Sequence, residues 1–521
     1  MQLGFVIDQS RCIGCHACTV ACKAENDVPL GSFRTWVKYT ETGTFPSVRR
    51  HFAVLRCNQC TDAPCVTICP VTALDKRVDG IVDVDPKVCI GCKGCMQACP
   101  YDALYIHDES GTAQKCHFCA HRTEVGLAPA CAIVCPTEAI IPGDFHDPQS
   151  RVSQMRAQGD LSARKVEAGT RPNVFYKAAD ASGLDPDQTN EAGGFMWANQ
   201  RAGIQMDAQE FELFERKARD DQAARTVYNV EHPPLWGGKV TTYLFTKSLA
   251  AGAFLAGAFL LPSTLSSRVP TGATLMWIPS LALFFLALTG ALLIADLKRP
   301  ERFFLILTRP NWSSWIARGA FVLSAYGVLL GGWLILAWMR GRAAEAAPAG
   351  LLVLFFIVLT AIAAAATAGY TASLFAQSRG RVLWMKRGLW LHLIAQAFVA
   401  GAALLLLFAP RVGLGLDAID VVRRMLLVAL VLHGGMTLVE ARLAPKRRQT
   451  EFARVARLLS HGPFRRRHVW LGLVLGVALP LMLLLMFMPP LVWSIAAALA
   501  LVGLYVEEDL LVRAGQAQPI S

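Results

Sequence analysis

Hydrophobic and polar positions divide this 521-residue chain near residue 240. Ala, Leu, Val, Phe and Trp dominate residues 241–506, whereas residues 1–240 are mixed and polar. The apolar part holds about eight runs, each near the roughly 20 residues that a helix needs to cross a bilayer. They are 241–262, 273–295, 313–339, 350–377, 389–409, 421–440, 468–488 and 490–506, and only Pro489-Pro490 separates the last two. A soluble core has no use for so many long runs. The pattern therefore predicts an all-α polytopic membrane bundle of about eight transmembrane helices over residues 241–521.

The polar part reads differently. In residues 1–145, short extended stretches such as Ile81-Val82-Asp83-Val84 and Ala103-Leu104-Tyr105-Ile106 alternate with groups of cysteines. Apolar residues are too few for a large core, so small sheets and helices wrapped round bound groups are expected, an α+β domain. Residues 146–240 are rich in Asp, Gln, Arg and Gly. Gln209 to Arg225 reads as one exposed helix of mixed charge. Gly169-Thr170-Arg171-Pro172 and His232-Pro233-Pro234 read as extended linker. The whole stretch is taken as a strap joining the two domains.

Composition sharpens this picture. The apolar fraction is 54%, mean hydropathy is +0.38 and net charge is +12. A basic balance can signal nucleic acid, but here Arg and Lys crowd the short connections between apolar runs, which favours a lipid bilayer and no nucleic acid. The connections on the side of the amino-terminal domain carry 17 basic residues, among them Arg299, Arg387, Lys386, Arg448 and Arg467. Those on the other side carry four, Arg268, Arg340, Arg342 and Arg411, or six with Arg423 and Arg424. This asymmetry predicts an inner-membrane protein with its first domain in the cytoplasm. Residues 1–20 have no apolar stretch of the export-signal kind, which agrees, although a domain exported with a twin-arginine partner would also lack one.

All sixteen cysteines lie between Cys12 and Cys135, in four groups of four. The groups are Cys12, Cys15, Cys18 and Cys22; Cys57, Cys60, Cys65 and Cys69; Cys89, Cys92, Cys95 and Cys99; Cys116, Cys119, Cys131 and Cys135. Three of them end in Cys-Pro, at Pro70, Pro100 and Pro136. Paired Cys-x2-Cys is also half a zinc site, but the compact run of Cys-x2-Cys-x2-Cys-x3-Cys-Pro is the ligand pattern of 4Fe–4S clusters in ferredoxin-like domains. Sixteen thiolates at four per cluster predict four 4Fe–4S clusters and a chain that moves single electrons.

Arg56-Cys57-Asn58-Gln59-Cys60, Lys115-Cys116-His117-Phe118-Cys119 and Pro129-Ala130-Cys131 resemble the four-cluster electron-transfer subunit of the dimethyl-sulfoxide-reductase-type molybdoenzymes. The resemblance covers the first 145 residues and all sixteen ligands. It implies a nested pairing, in which Cys12, Cys15 and Cys18 share a cluster with Cys135, and Cys116, Cys119 and Cys131 share one with Cys22. Cys57, Cys60 and Cys65 would join Cys99, and Cys89, Cys92 and Cys95 would join Cys69. Tyr243-Leu244-Phe245-Thr246-Lys247, Asp296-Leu297-Lys298-Arg299-Pro300-Glu301-Arg302-Phe303 and Ser313-Ser314-Trp315 with Arg318-Gly319 resemble the polysulfide-reductase-type, NrfD-like, membrane anchor. The two modules, which resemblance implies as separate subunits, are here fused.

Ionisable groups inside spans are costly and so mark candidate sites. Lys247, Asp296 and Arg318, with Tyr243 and Tyr370 at similar depth, are expected near the cytoplasmic face, where they could hold a quinone carbonyl and pass protons. The bland alternative is snorkelling of Lys247 and Arg318, with an ion pair at Asp296 that locks the bundle. His392 and His433 in spans five and six read as a polar contact or a pair of haem ligands; the NrfD-like resemblance implies no haem b. Glu440 reads as an interfacial charge. The expected function is electron transfer and anchoring, between a molybdopterin-containing catalytic partner and the membrane quinone pool. No group suited to chemistry on an organic substrate is evident. A hydrogenase or nitrite reductase as partner, or a redox-linked ion-translocating role, remain the alternatives.

Overall fold

A computed structural model describes residues 1–43, 46–191, 224–232, 234–260, 272–342, 351–486 and 489–521. The chain forms two compact units: Met1–Pro233 with Pro519–Ser521, and Pro234–Gln518.

The first unit has twelve strands among the described residues: β1 (Leu3–Asp8), β2 (Thr35–Thr42), β3 (Arg49–Arg56), β4 (Leu74–Lys76), β5 (Val82–Val84), β6 (Leu104–Ile106), β7 (Ala113–Lys115), β8 (Ile140–Asp144), β9 (Leu161–Ser162), β10 (Val174–Lys177), β11 (Thr189–Glu191) and β12 (Ala224–Tyr228). One sheet has the order β8-β1-β10-β9 and a second the order β11-β12-β2-β3. β4 pairs with β5, and β6 with β7, as two-stranded ribbons. β1 is nearly continuous in apolar residues because both its neighbours and both its faces are covered: Phe5, Val6 and Ile7 are fully buried. The two short extended stretches read from the sequence are β5 and β6. Each ribbon follows a short helix that carries cysteines, Pro64–Ile68 and Gly94–Ala98.

Part of the expected strap is sheet. β10 runs parallel to β1, with Phe5 opposite Val174 and Ile7 opposite Tyr176. Gly169 to Pro172, read as linker, clamps the second cysteine group instead: Thr61 N donates to Arg171 O at 2.9 Å and Asp62 N to Thr170 O at 3.0 Å. These strands are two to five residues long, too short for their alternation to stand out against a polar background. The helix expected over Gln209 to Arg225 lies outside the described residues except for its last two positions, which begin β12. The final residues pack in this unit as well, where Asn229 Nδ2 donates to Ser521 O at 3.0 Å.

The second unit is built on eight long helices: α1 (Gly238–Ala258), α2 (Gly272–Asp296), α3 (Trp315–Arg342), α4 (Leu351–Gln377), α5 (Leu389–Leu407), α6 (Leu416–Val439), α7 (Arg467–Leu485) and α8 (Pro490–Gln516). Six of them, α2 to α7, are long and apolar enough to cross a membrane. α1 and α8 carry buried charged residues, Lys247 in the first and Glu507, Glu508 and Asp509 in the second. α5 is central, with 78% of its apolar stretch buried, and it packs against α1, α4, α6 and α8. The outer helices turn large apolar side chains outward, including Phe284, Val328 and Phe355 at 62%, 75% and 64% exposure. Such surface is costly in water and suited to lipid.

Small residues bring helices together. A Cβ on Gly252 of α1 would strike Ala397 O of α5, and one on Gly401 of α5 would strike Gly252 O. Gly476 and Gly503 do the same for α7 and α8. Close backbone approach of this kind drives helix association where the hydrophobic effect is absent. α8 runs ten residues past the expected end at 506, and Glu507, Glu508 and Asp509 on this extension are buried.

Candidate functional site

The first unit gathers its cysteines round cavities. Cys57, Cys60, Cys65 and Cys99 line one, with Pro64, Pro100 and Tyr101. Cys69, Cys89, Cys92 and Cys95 line another. Cys22, Cys116, Cys119 and Cys131 line a third, with Phe5, Arg34 and Arg56. Each of the three cavity linings holds the four cysteines that the resemblance implies for one cluster. Burial raises the thiols of Cys12 and Cys18; Cys135 and Cys15 add to it at Cys12, and Cys131 and Cys12 at Cys18. Cys15 is exposed and Cys12 and Cys135 are partly so, which makes the last set the one nearest the surface.

Four thiols spaced round a cavity suit a multi-atom cluster, and iron–sulfur clusters fit these sites. The electrostatics agree. Burial, together with neighbouring thiols, pushes Cys18 up to about 11. It pushes Cys65 and Cys92 up to about 12. A bare thiol there stays protonated at neutral pH, so the positive charge of iron is what turns these groups into thiolate ligands. Cys135 differs: burial raises it, but the Ala139 N–H, 3.2 Å from Sγ, and the Thr137 hydroxyl hold it below its ordinary value.

Two buried cations accompany the cysteines, and no role for them was read from the sequence. Arg56 is fully buried. Its Nη1 donates to Cys131 Sγ at 3.3 Å, its Nη2 to Thr35 Oγ1 at 3.1 Å, and it lies 4.3 Å over the Phe5 ring. Burial works against its charge, and Cys131, Cys116 and Cys18 outweigh burial to hold it protonated. Lys115 donates to Val82 O and, at 2.8 Å, to Cys116 O. Burial opposes its charge too, and Cys57, Cys65 and Cys116 outweigh it. Each cation thus serves ligands of two different sets. The available signal was position: each immediately precedes a Cys-x2-Cys pair.

In the second unit, Lys247 of α1 is 1% exposed and donates to Ala368 O at 2.9 Å and Thr371 Oγ1 at 2.8 Å on α4. Its Nζ lies 5.4 Å from the Tyr370 ring. Tyr243 is buried within electrostatic reach of Tyr370, Asp296 and Glu508. The structure therefore brings Tyr243, Lys247 and Tyr370 together, with the half-buried Asp296 nearby. It does not bring Arg318 to them: that side chain is exposed, donates to Trp312 O at 2.6 Å and lies 5.0 Å over Trp315. A helix terminus can look like a span interior in sequence, and the guanidinium here snorkels to the amino-terminal end of its helix.

Sequence reasoning missed Glu508, which accepts from Ser248 Oγ at 2.8 Å and lies within charge range of Lys247. No spacing rule links residues 247 and 508. His392 Nε2 and His433 Nδ1 stand 2.9 Å apart. At that distance the pair makes a hydrogen bond between α5 and α6. Glu440, read as an interfacial charge, is bonded to Lys386 Nζ at 2.6 Å and lines a cavity with His392 and Glu507.

Thiol-ringed cavities in one unit and a polytopic helical bundle in the other define an electron-transfer module joined to a membrane anchor. Similarity to known proteins agrees. Residues 226–520 match the family described as "Polysulphide reductase, NrfD". Residues 48–145 match the "4Fe-4S dicluster domain" and residues 3–24 the "4Fe-4S binding domain". The chain belongs to the polysulphide reductase NrfD family, with an iron–sulfur module fused ahead of the NrfD region. A tetrathionate reductase subunit of Salmonella typhimurium is 47% identical over 189 residues, 36% of this chain and 76% of that protein. Protein NrfC of Escherichia coli is 41% identical over 178 residues, 34% of this chain and 80% of the relative. The arsenate respiratory reductase iron-sulfur subunit ArrB of a Shewanella species is 37% identical, over 34% and 96% of the two chains.

Proposed function

We propose that this chain carries electrons through four 4Fe–4S clusters between a molybdopterin-containing catalytic partner and membrane quinone. The carrying observation is the sorting of sixteen cysteines into four sets of four, three of them round cavities. Bound clusters supply one-electron steps. The protein holds them dry, sets their charge with Arg56 and Lys115, and leaves the Cys12, Cys15, Cys18 and Cys135 set nearest the surface, where a partner's electrons would arrive or leave. Relatives named as subunits of tetrathionate and arsenate reductases support a partner of the reductase class.

On this reading the quinone binds at Tyr243, Lys247, Tyr370 and Asp296, with Glu508 added. An ammonium has three N–H groups. Lys247 gives two to Ala368 and Thr371, which leaves one to aim at a quinone oxygen. Tyr243 and Glu508 are the neighbours able to exchange protons with it. These groups sit near the start of α1 and toward the ends of α2, α4 and α8, the side of the arginine-rich connections, so the cluster unit and the quinone site are assigned to the cytoplasmic side of an inner membrane. Proton exchange with quinone on that side builds little membrane potential.

Two measurements test this reading. Anaerobically prepared protein should hold about sixteen irons per chain and show several interacting 4Fe–4S signals by spin resonance; half that iron after careful reconstitution refutes four clusters. Lys247→Met and Asp296→Asn should slow quinone turnover while leaving cluster reduction intact. Unchanged quinone kinetics in both variants would move the site elsewhere.

A further inference from the structure

Beside the Lys247 group lies a second set of buried ionisable side chains, which the proposed quinone chemistry does not use directly. Lys386, His392, Glu440 and Glu507 line one cavity of about 20 Å3. Gln396 lines it too, and its buried Oε1 has no hydrogen-bond partner. The cavity has room for a water and not for a quinone ring. His392 passes from it to His433, 2.9 Å away on α6. On the other side, Glu507 Oε1 stands 3.2 Å from His468 Nδ1 of α7, close but not aligned as a hydrogen bond.

The next residue of α8 faces the other group. Glu508 accepts from Ser248, beside Lys247, and its Oε2 is buried with no partner. Consecutive residues of one helix therefore present a carboxyl to each polar centre. Asp509 takes no part: Arg467, at 2.6 Å, and Arg513, at 2.7 Å, fix its charge. The contributing positions lie at the ends of α5, α6 and α7 that meet the arginine-rich connections and toward the carboxyl end of α8. Buried carboxyls and imidazoles round a water-sized space are costly to keep unless something uses them.

We propose that Glu507 and the water-sized cavity form a proton route, with Lys386 and Glu440 at its outer end and the His392–His433 pair beside it, which supplies or drains the quinone site through Glu508. The proposal rests on the reading of the Lys247 group as that site. Quinone reduction takes two electrons, delivered singly from the clusters, and two protons, one for each oxygen, to give quinol; oxidation returns all four. A proton given to quinone from the Glu508 and Tyr243 side must be replaced, and Glu507 is the adjacent group that lines the water-sized cavity.

The test uses the full chain in detergent, its clusters reduced with dithionite and then mixed with a water-soluble quinone while cluster absorbance is followed. Ferricyanide, which takes electrons without protons, serves as the second acceptor. Glu507→Gln and His392→Leu should slow oxidation by quinone at least about tenfold at alkaline pH, with quinone affinity and the ferricyanide rate unchanged. Azide, a small weak acid, should restore the rate, and Glu507→Asp should retain much of it. Wild-type quinone rates in both variants overturn the route. Loss of quinone affinity or of ferricyanide oxidation also overturns it, since the residues would then only brace the bundle. Glu508→Gln and Lys247→Met report separately: full quinone binding in both removes the quinone site from this place, whatever Glu507 does.

Discussion

The two units bury charge in opposite ways. In the cluster unit, thiols and cations are packed together, and the fold closes round them with little apolar core: Phe5, Ile7, Val37, Val54, Phe118 and Tyr176 are much of it. In the helical unit the apolar core is large and draws on all eight long helices, and the buried ionisable groups gather in two small polar centres that are costly to keep. The first unit should therefore depend on its metal for stability, the second on helix packing. A charge in the first is part of a crowd, while a charge in the second is a site.

That contrast is broken most directly by removing a ligand. Cys65→Ser takes one thiolate from a fully buried set. We expect loss of about four irons per chain and a first unit that becomes sensitive to protease, because cluster binding is folding energy there. The helical unit should keep its detergent-resistant helicity. If iron falls and the first unit stays as resistant as before, its core is more self-sufficient than its composition implies. The converse variant is Gly252→Val. Its side chain would meet α5 backbone at Ala397 and Gly401, so thermal stability of the helical unit should drop, by an overpacking cost of roughly 1–3 kcal/mol or more, while iron content holds.

How legible each unit was in sequence follows from the same contrast. Cluster ligands come in local runs, so Cys12 to Cys22 or Cys89 to Cys99 announce their chemistry within a dozen residues. Helix spans were legible from apolar runs, and their predicted ends lay within a few residues except in α6 and at the polar end of α8. The membrane site was half visible. Tyr243 and Lys247 share one helix turn, but Thr371 and Glu508 arrive from α4 and α8 by packing alone. Arg318 illustrates the reverse case, a residue close in span order that the fold turns outward. Short strands such as β9 and β10 were hidden because two to four residues carry too little alternation to read, yet β10 completes the sheet next to β1.

A sharper version compares the two buried cations nearest the chemistry. Arg56→Leu removes a positive charge beside Cys131, with Cys18 and Cys116 within its field. The reduced, more negative form of a cluster loses more than the oxidised form, so potentiometric titration followed by spin resonance should show at least one midpoint shifted downward. Iron content should stay near wild type if Thr35 and Phe5 keep the pocket closed. Lys247→Met should move no midpoint and act only on quinone kinetics. Identical midpoints in Arg56→Leu and wild type would make the arginine a packing element.

The smallest effect is expected away from both centres, where the first unit uses ordinary ion pairs. Glu41 on β2 is clasped from two sides: Arg50 on β3 reaches Oε1 at 2.9 and 2.5 Å, and Arg225 on β12 reaches Oε2 at 3.2 and 2.9 Å. Burial alone would raise its carboxyl, and the two guanidiniums outweigh burial to hold it below the usual carboxylate range. A depressed folded value means that the pairing contributes stability above the unfolded carboxylate pKa of about 4.3 and loses it as pH falls through the folded value. Both arginines are about half exposed, which limits the contribution to about 1 kcal/mol. Glu41→Gln should speed amide exchange in β2, β3 and β12 several-fold at pH 7, and the difference from wild type should shrink in acid. An effect on iron content or on quinone kinetics would show that this edge of the unit is coupled to its centre, against the division of labour argued from the two cores.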